Sequence, residues 1–98
     1  MNLPLQEIEA RFRRHAVRLT RQRVAIYAAL AATTSHPSAD DLYRIVKRQQ
    51  PMISRNTVYY TLGVLRNAGL VREVNVGHDM ARYDGNVSLH HHLIRSEE

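Results

Sequence analysis

The chain contains no cysteine, which excludes disulfides, thiolate metal sites and cysteine nucleophiles and removes thiol usage as a guide to redox compartment. It has no apolar run approaching the ~20 residues of a membrane-spanning helix. The opening stretch MNLPLQEIEA lacks the basic segment and following apolar run of a secretory signal. A cytoplasmic location and no membrane partner are therefore expected. Repeats and low-complexity stretches are absent too. At 98 residues the chain has room for one small core, so a two-lobed enzyme with separate cofactor and substrate domains is excluded.

What is present is an ordinary globular composition, 44% hydrophobic and 23% charged, which argues against disorder throughout. Its charge is basic and unevenly placed. Fourteen Lys+Arg against nine Asp+Glu give a net +5. Residues 1–50 carry nine of the cations against four acids, while residues 51–98 hold five of each. Within RFRRHAVRLTRQR, Arg11, Arg13, Arg14, Arg18, Arg21 and Arg23 follow one another with no acid between them. Most charge runs are simply solvated helix faces, but an excess this concentrated also suits a phosphate backbone, and nucleic acid leads the list of partners.

The apolar spacing predicts four helices followed by a hairpin. After Pro4, Leu5, Ile8 and Phe12 recur at helical spacing, giving an amphipathic basic helix to about His15. Thr20 caps a second helix through RQRVAIYAALAAT, with Val24, Tyr27 and Leu30 on its core face. Ser38 caps a third, with Asp41 reaching back to it and Ala39, Leu42, Tyr43 and Val46 as the stripe. Ser54 caps a fourth, buried through Val58, Leu62 and Leu65 and stopped by Gly69. LVREVNV and MARYD, joined by the turn-prone Gly77-His78-Asp79, then read as two strands. The fold class is mainly α with a small β-hairpin: a winged helix-turn-helix with an additional N-terminal helix. Residues 1–86 form that domain and 87–98 a His-rich segment, the start of a hinge.

In such a fold the last helix enters the major groove and the ribbon lies beside the backbone. Arg55, Asn56 and Tyr59 fall off the apolar stripe near the start of the fourth helix, where side chains meet base edges. Arginine pairs with guanine, asparagine with adenine, and a tyrosine ring packs on a thymine methyl. The full set of candidate DNA-binding residues is Arg18, Arg21, Arg23, Arg55, Asn56, Thr57, Tyr59 and Tyr60. The ordinary alternative leaves Tyr59 and Tyr60 half-buried in the core and Arg55 merely solvated.

Several strings carry a resemblance: Arg18-Leu19-Thr20 with Gln22-Arg23, His36-Pro37-Ser38-Ala39-Asp40-Asp41-Leu42-Tyr43, Ser54 with Thr57-Val58-Tyr59, Gly69-Leu70-Val71, Arg82-Tyr83-Asp84 and His90-His91-His92-Leu93-Ile94. In order and spacing they resemble the ferric uptake regulator family over roughly residues 10–94, close to the whole of that family's N-terminal DNA-binding domain. The resemblance implies a metal-responsive transcriptional repressor that binds inverted-repeat operators in double-stranded DNA as a dimer. Asp rather than Glu at position 84 looks like the peroxide- and zinc-sensing branches.

Histidines two apart, as His90 and His92 are, share one face of a strand. Asp84 ends the expected hairpin, and His36 precedes the third helix on a loop that can fold over the wing. Imidazoles with one carboxylate suit zinc, iron(II) or manganese, and geometry alone does not choose among them. Surface or capping use is the ordinary alternative for each histidine. By resemblance, His36, Asp84, His90 and His92 align with the family's regulatory metal site, and His91 with a position that varies. Where the family continues with a Cys-x-x-Cys pair, this sequence has Arg95 and ends at Glu98. No structural zinc held by cysteines is expected, and DNA and metal should be held more weakly than by a complete member. A shortened paralogue acting by pairing with a full-length relative or an unrelated regulator is the second reading, and a homodimer is a further expected partner. An enzyme is a distant third, since no nucleophile constellation stands out.

Overall fold

The architecture follows from how each helix starts and stops. The computed structural model describes residues 3–33, 35–74 and 81–85. Helix α1 spans Leu5–Arg14, α2 Arg21–Ala32, α3 Ala39–Lys47 and α4 Arg55–Asn67, followed by strands β1 Arg72–Val74 and β2 Arg82–Asp84. The three expected caps form: Thr20 Oγ1 accepts from the Arg23 amide, Ser38 Oγ from Asp41 and Ser54 Oγ from Thr57, each at 3.1 Å. At Ser38 the bond is reciprocal, because Asp41 Oδ2 accepts from the Ser38 amide at 3.1 Å, a capping box. Helix α4 ends as Gly69 permits. Its φ of +87° lets the Leu70 amide reach the Leu65 carbonyl at 2.9 Å and the Gly69 amide the Arg66 carbonyl at 3.0 Å. Helix α1 ends in the same way but with Ala16 at φ +58°, a conformation that costs an L residue about 1 kcal/mol.

The core gathers one face of each helix. Ile8 and Phe12 of α1, Ile26, Tyr27 and Leu30 of α2, Leu42 and Val46 of α3 and Val58, Leu62 and Leu65 of α4 form one buried cluster. Phe12 and Tyr27 pack edge-to-face with ring centroids 5.6 Å apart. Leu5 is a correction to the expected stripe. It is exposed, at the first residue of α1. Val24 is only partly buried, and the interior of α2 takes in Ile26 and Ala31 as well.

The hairpin is antiparallel, pairing Arg72 with Asp84, Glu73 with Tyr83 and Val74 with Arg82. β1 begins at Arg72 and β2 at Arg82, in each case two residues later than the apolar texture suggested. Leu70 and Val71 are buried in the core instead of continuing β1, and the Gly77-His78-Asp79 turn lies outside the described residues. The segment before α3 extends the ribbon as a third, minimal strand: Ser38 bridges Arg82, and the Tyr83 amide donates to the Pro37 carbonyl at 3.0 Å. Four helices with this ribbon make a winged helix preceded by one extra helix, as the sequence predicts. Among the described residues no helix is long and apolar enough to cross a membrane.

Candidate nucleic-acid interface and metal pair

The first turn of α4 lies open between three neighbours. Arg55, Asn56, Tyr59 and Tyr60 are all exposed, the two tyrosines by 56% and 67%, so the half-buried alternative does not hold for them. Toward α2, Asn56, Thr57 and Tyr60 line a cleft of about 430 Å³ together with Thr20, Gln22 and Arg23. The N-terminal end of α2, with an arginine, therefore faces the same space as the first turn of α4, an arrangement that suits a phosphate beside a groove. Arg23 also donates to the Arg18 carbonyl at 3.2 Å, which folds the guanidinium back along the chain. Arg18 and Arg21 are exposed, and Arg21 borders the neighbouring cleft beside Gln50 and Met52. Thr57 is half-buried, and its hydroxyl is shared with Ser54 Oγ at 2.9 Å, so it belongs to the cap as well as to the cleft.

Toward α3, Arg55 meets a carboxylate that sequence reading missed. Its Nη1 donates to Asp40 Oδ1, and its guanidinium carbon sits 4.6 Å from the centre of the Tyr43 ring. Arg44 donates to the other oxygen of Asp40 at 2.6 Å and to Asp41 Oδ1 at 2.8 Å. Asp41, accepting the Ser38 amide first and facing Arg44 as well, is held below the usual carboxylate range. No local spacing could have signalled the Asp40–Arg55 pair, because it joins residues fifteen apart on different helices. Toward the wing, Tyr59 lies near Tyr83, whose hydroxyl burial pushes up, with the Glu73 carboxylate adding to that shift. Arg66 donates to Glu73 at 2.7 Å, tying the far end of α4 to β1.

One arginine of the N-terminal run is not part of this surface. The Arg11 side chain is 14% exposed and donates to Glu7 at 3.0 Å and to the Tyr27 hydroxyl at 2.8 Å. Tyr27 in turn donates to the Gly85 carbonyl at 3.4 Å, so the chain leaving β2 is tied through α2 to α1. A Cβ at Gly85 would come within 2.9 Å of Leu30, which is why only glycine lets the exit lie this close.

On the opposite edge of the wing, His36 and Asp84 come together. His36 Nε2 and Asp84 Oδ2 are 3.8 Å apart, with the carboxylate also 3.4 Å from Arg72 Nη2. His36 adopts φ +54° directly before Pro37, a strained combination in a position where extended backbone is the rule. Arg82 Nη1 donates to the His36 carbonyl at 3.2 Å and helps to hold it there. His90 and His92, like His91, lie outside the described residues. Among the described residues this is a pair only, with no third histidine or carboxylate close enough to complete a metal shell.

Comparison with known proteins agrees with this geometry. The pattern of the ferric uptake regulator family matches residues 14–98. The chain is 39% identical over 90 residues to the peroxide-responsive repressor PerR of Staphylococcus epidermidis, covering 92% of this chain and 60% of the relative. Among solved structures, PerR from Streptococcus pyogenes superposes with a TM-score of 0.71 at 35% identity, over 81% of this chain and 54% of that one. A zinc-bound manganese uptake regulator superposes with a TM-score of 0.74 at 28% identity, over 79% and 58%. The chain thus spans roughly half to three-fifths of the length of these relatives, the part that folds as a winged helix. On these grounds it belongs to the ferric uptake regulator family.

Proposed function

We propose that this chain is the DNA-binding domain of a metal-responsive transcriptional repressor that recognises inverted-repeat operator DNA. The observation that carries this reading is the shared cleft of Arg23 with Asn56, Thr57 and Tyr60, which sets phosphate-binding and base-reading groups side by side. In this reading Arg18, Arg21 and Arg23 take phosphates, Arg55, Asn56 and Tyr59 address base edges, and Thr57 and Tyr60 bound the groove wall. The relatives it matches are named as regulators, which favours this over any catalytic role.

The His36–Asp84 pair offers one imidazole and one carboxylate, a donor set suited to zinc, iron or manganese. His90 and His92 complete the set in this proposal, and its start at the strained His36 is in keeping with a loop kept ready for a ligand. A bound ion would supply a cross-link between the loop before α3 and the end of β2. The chain's own groups transmit that link: Pro37 and Ser38 are already bonded to β2, and Ser38 caps the helix that contacts Arg55 through Asp40. Fixing the loop therefore biases how α4 is presented, a shift between conformations and not a new contact with DNA. Asp84 as a feature of peroxide- or zinc-sensing members is in keeping with similarity to a peroxide-responsive repressor.

The test is duplex binding as a function of salt, with and without zinc or manganese, for the chain and for His36→Ala and His90→Ala. The expected outcome is affinity that falls steeply with salt and rises with metal only when both histidines are present. Binding without salt dependence removes the DNA role, and an affinity that metal leaves unchanged in the chain and in both variants removes metal control. Co-purification with a full-length relative, together with failure to bind duplex alone, would favour the pairing role instead.

A further inference from the structure

Arg55 is held more tightly than a residue in the first turn of an exposed helix needs to be. An ion pair this open contributes little to stability, typically ~0–1 kcal/mol, so stabilisation does not account for the arrangement. Two restraints act on one guanidinium. Asp40 takes its Nη1, and Tyr43 lies against its face at 4.6 Å. Asp40 is itself held from a second side, because its other oxygen accepts from Arg44, which is forked onto Asp41. The guanidinium is thus oriented from two sides, on a side chain 57% exposed whose other N–H donors are not used by these contacts.

A fixed, planar donor fork beside a carboxylate discriminates between acceptors. A phosphate approaching it meets the negative charge of Asp40, whereas the uncharged O6/N7 edge of guanine meets two aligned donors without that repulsion. A free arginine at the same place would take either. We propose, on the footing of the DNA-binding reading above, that Asp40 is a specificity-determining positioning residue: with Tyr43 it orients Arg55 to read guanine and denies that arginine to phosphate. Asp40 touches no DNA in this arrangement and acts through Arg55. Exclusion of the wrong acceptor by a like charge is the means by which it contributes selectivity.

The test uses the 98-residue chain. Duplexes are selected from a random-sequence pool by the unaltered chain, and dissociation constants are measured for the selected duplex and for a shuffled duplex of equal length and composition. For Asp40→Asn the ratio of the two constants is expected to fall about tenfold, the lower part of what one bidentate base contact discriminates, while affinity for the shuffled duplex rises. Arg55→Lys keeps the charge without the planar fork and is expected to lose the guanine preference at the same position of the selected site. In an Arg55→Ala background, Asp40→Asn is expected to leave the ratio unchanged within about twofold.

That last arm separates positioning from a general change of charge, which would act whether or not Arg55 were present. Circular dichroism and melting confirm that each variant folds. A ratio unchanged in Asp40→Asn, or lowered equally without Arg55, overturns the inference while leaving the DNA-binding reading intact. Absence of binding to any duplex by the unaltered chain overturns both.

Discussion

Along α3, α4 and the hairpin, four arginines are held by acids, Arg44 and Arg55 by Asp40, Arg66 by Glu73 and Arg72 by Asp84, while Arg82 is held by the His36 carbonyl. At the amino end the opposite holds. Among the described residues, no carboxylate lies within ion-pair distance of Arg13, Arg14, Arg18, Arg21 or Arg23, and only Arg11 is paired, with Glu7. The two populations differ in what they can offer a polyanion. Unpaired guanidiniums keep their counterions until a phosphate displaces them and give affinity regardless of sequence. Paired ones have already surrendered part of their charge and gain direction in exchange. A net charge of +5 therefore understates the separation of tasks between the two ends of the chain.

The largest effect is expected from removing the unpaired group. Arg18, Arg21 and Arg23 changed together to Gln should lower affinity for any duplex about a hundredfold near physiological salt and flatten the salt slope by about 0.9 for each phosphate no longer neutralised. The ratio of selected to shuffled duplex should move little. Titration at several salt concentrations decides it: an unchanged slope would mean that these arginines are simply solvated, and a collapse of the ratio would mean that they read sequence.

Much of this was open to sequence reading, and the limits have physical causes. Thr20, Ser38 and Ser54 announce their helices because a cap is a bond within three residues. The helical stripes place most of the core for a similar reason, since their period is local. Failures begin where a contact spans elements. The pairing of Asp40 with Arg55, the burial of Arg11 and the role of Leu70 and Val71 as core residues all depend on chain segments far apart in sequence. For the site, the structure shows only positions: Arg55, Asn56 and Tyr59 are exposed, and His36 Nε2 lies 3.8 Å from Asp84 Oδ2. The contact of Asp40 with Arg55, which joins two helices, was invisible to sequence reading.

Arg11 sits in the same basic run yet faces inward. Arg11→Ala should cost about 1–3 kcal/mol of folding stability, because the Tyr27 hydroxyl and the Glu7 carboxylate lose a charged donor in a largely enclosed place. The salt slope of DNA binding should stay where it was. A denaturant midpoint shift with an unchanged slope supports this division. A flattened slope at unchanged stability would move Arg11 to the phosphate-facing group.

The smallest effect concerns the acids that hold the paired arginines. The Ser38 amide, Ser38 hydroxyl and Arg44 together keep Asp41 ionised below the usual carboxylate range. A carboxylate depressed in the folded state stabilises it above the unfolded pKa, and the gain disappears as pH falls through the folded value. At about pH 7 and low salt, Asp41→Asn should therefore destabilise by about 0.5–1 kcal/mol, the modest range set by helix N-terminal charge and by screening at a side chain 38% exposed. The difference between the two proteins should close as pH drops below the carboxylate range, because the native Asp41 then carries a proton and loses its hold on Arg44. Melting curves collected from about pH 7 down to about pH 2 test this directly. A gap that persists at the acid end would mean that Asp41 acts through its shape alone, and the start of α3 would then owe nothing to the charge that also orders Arg44 beside Asp40.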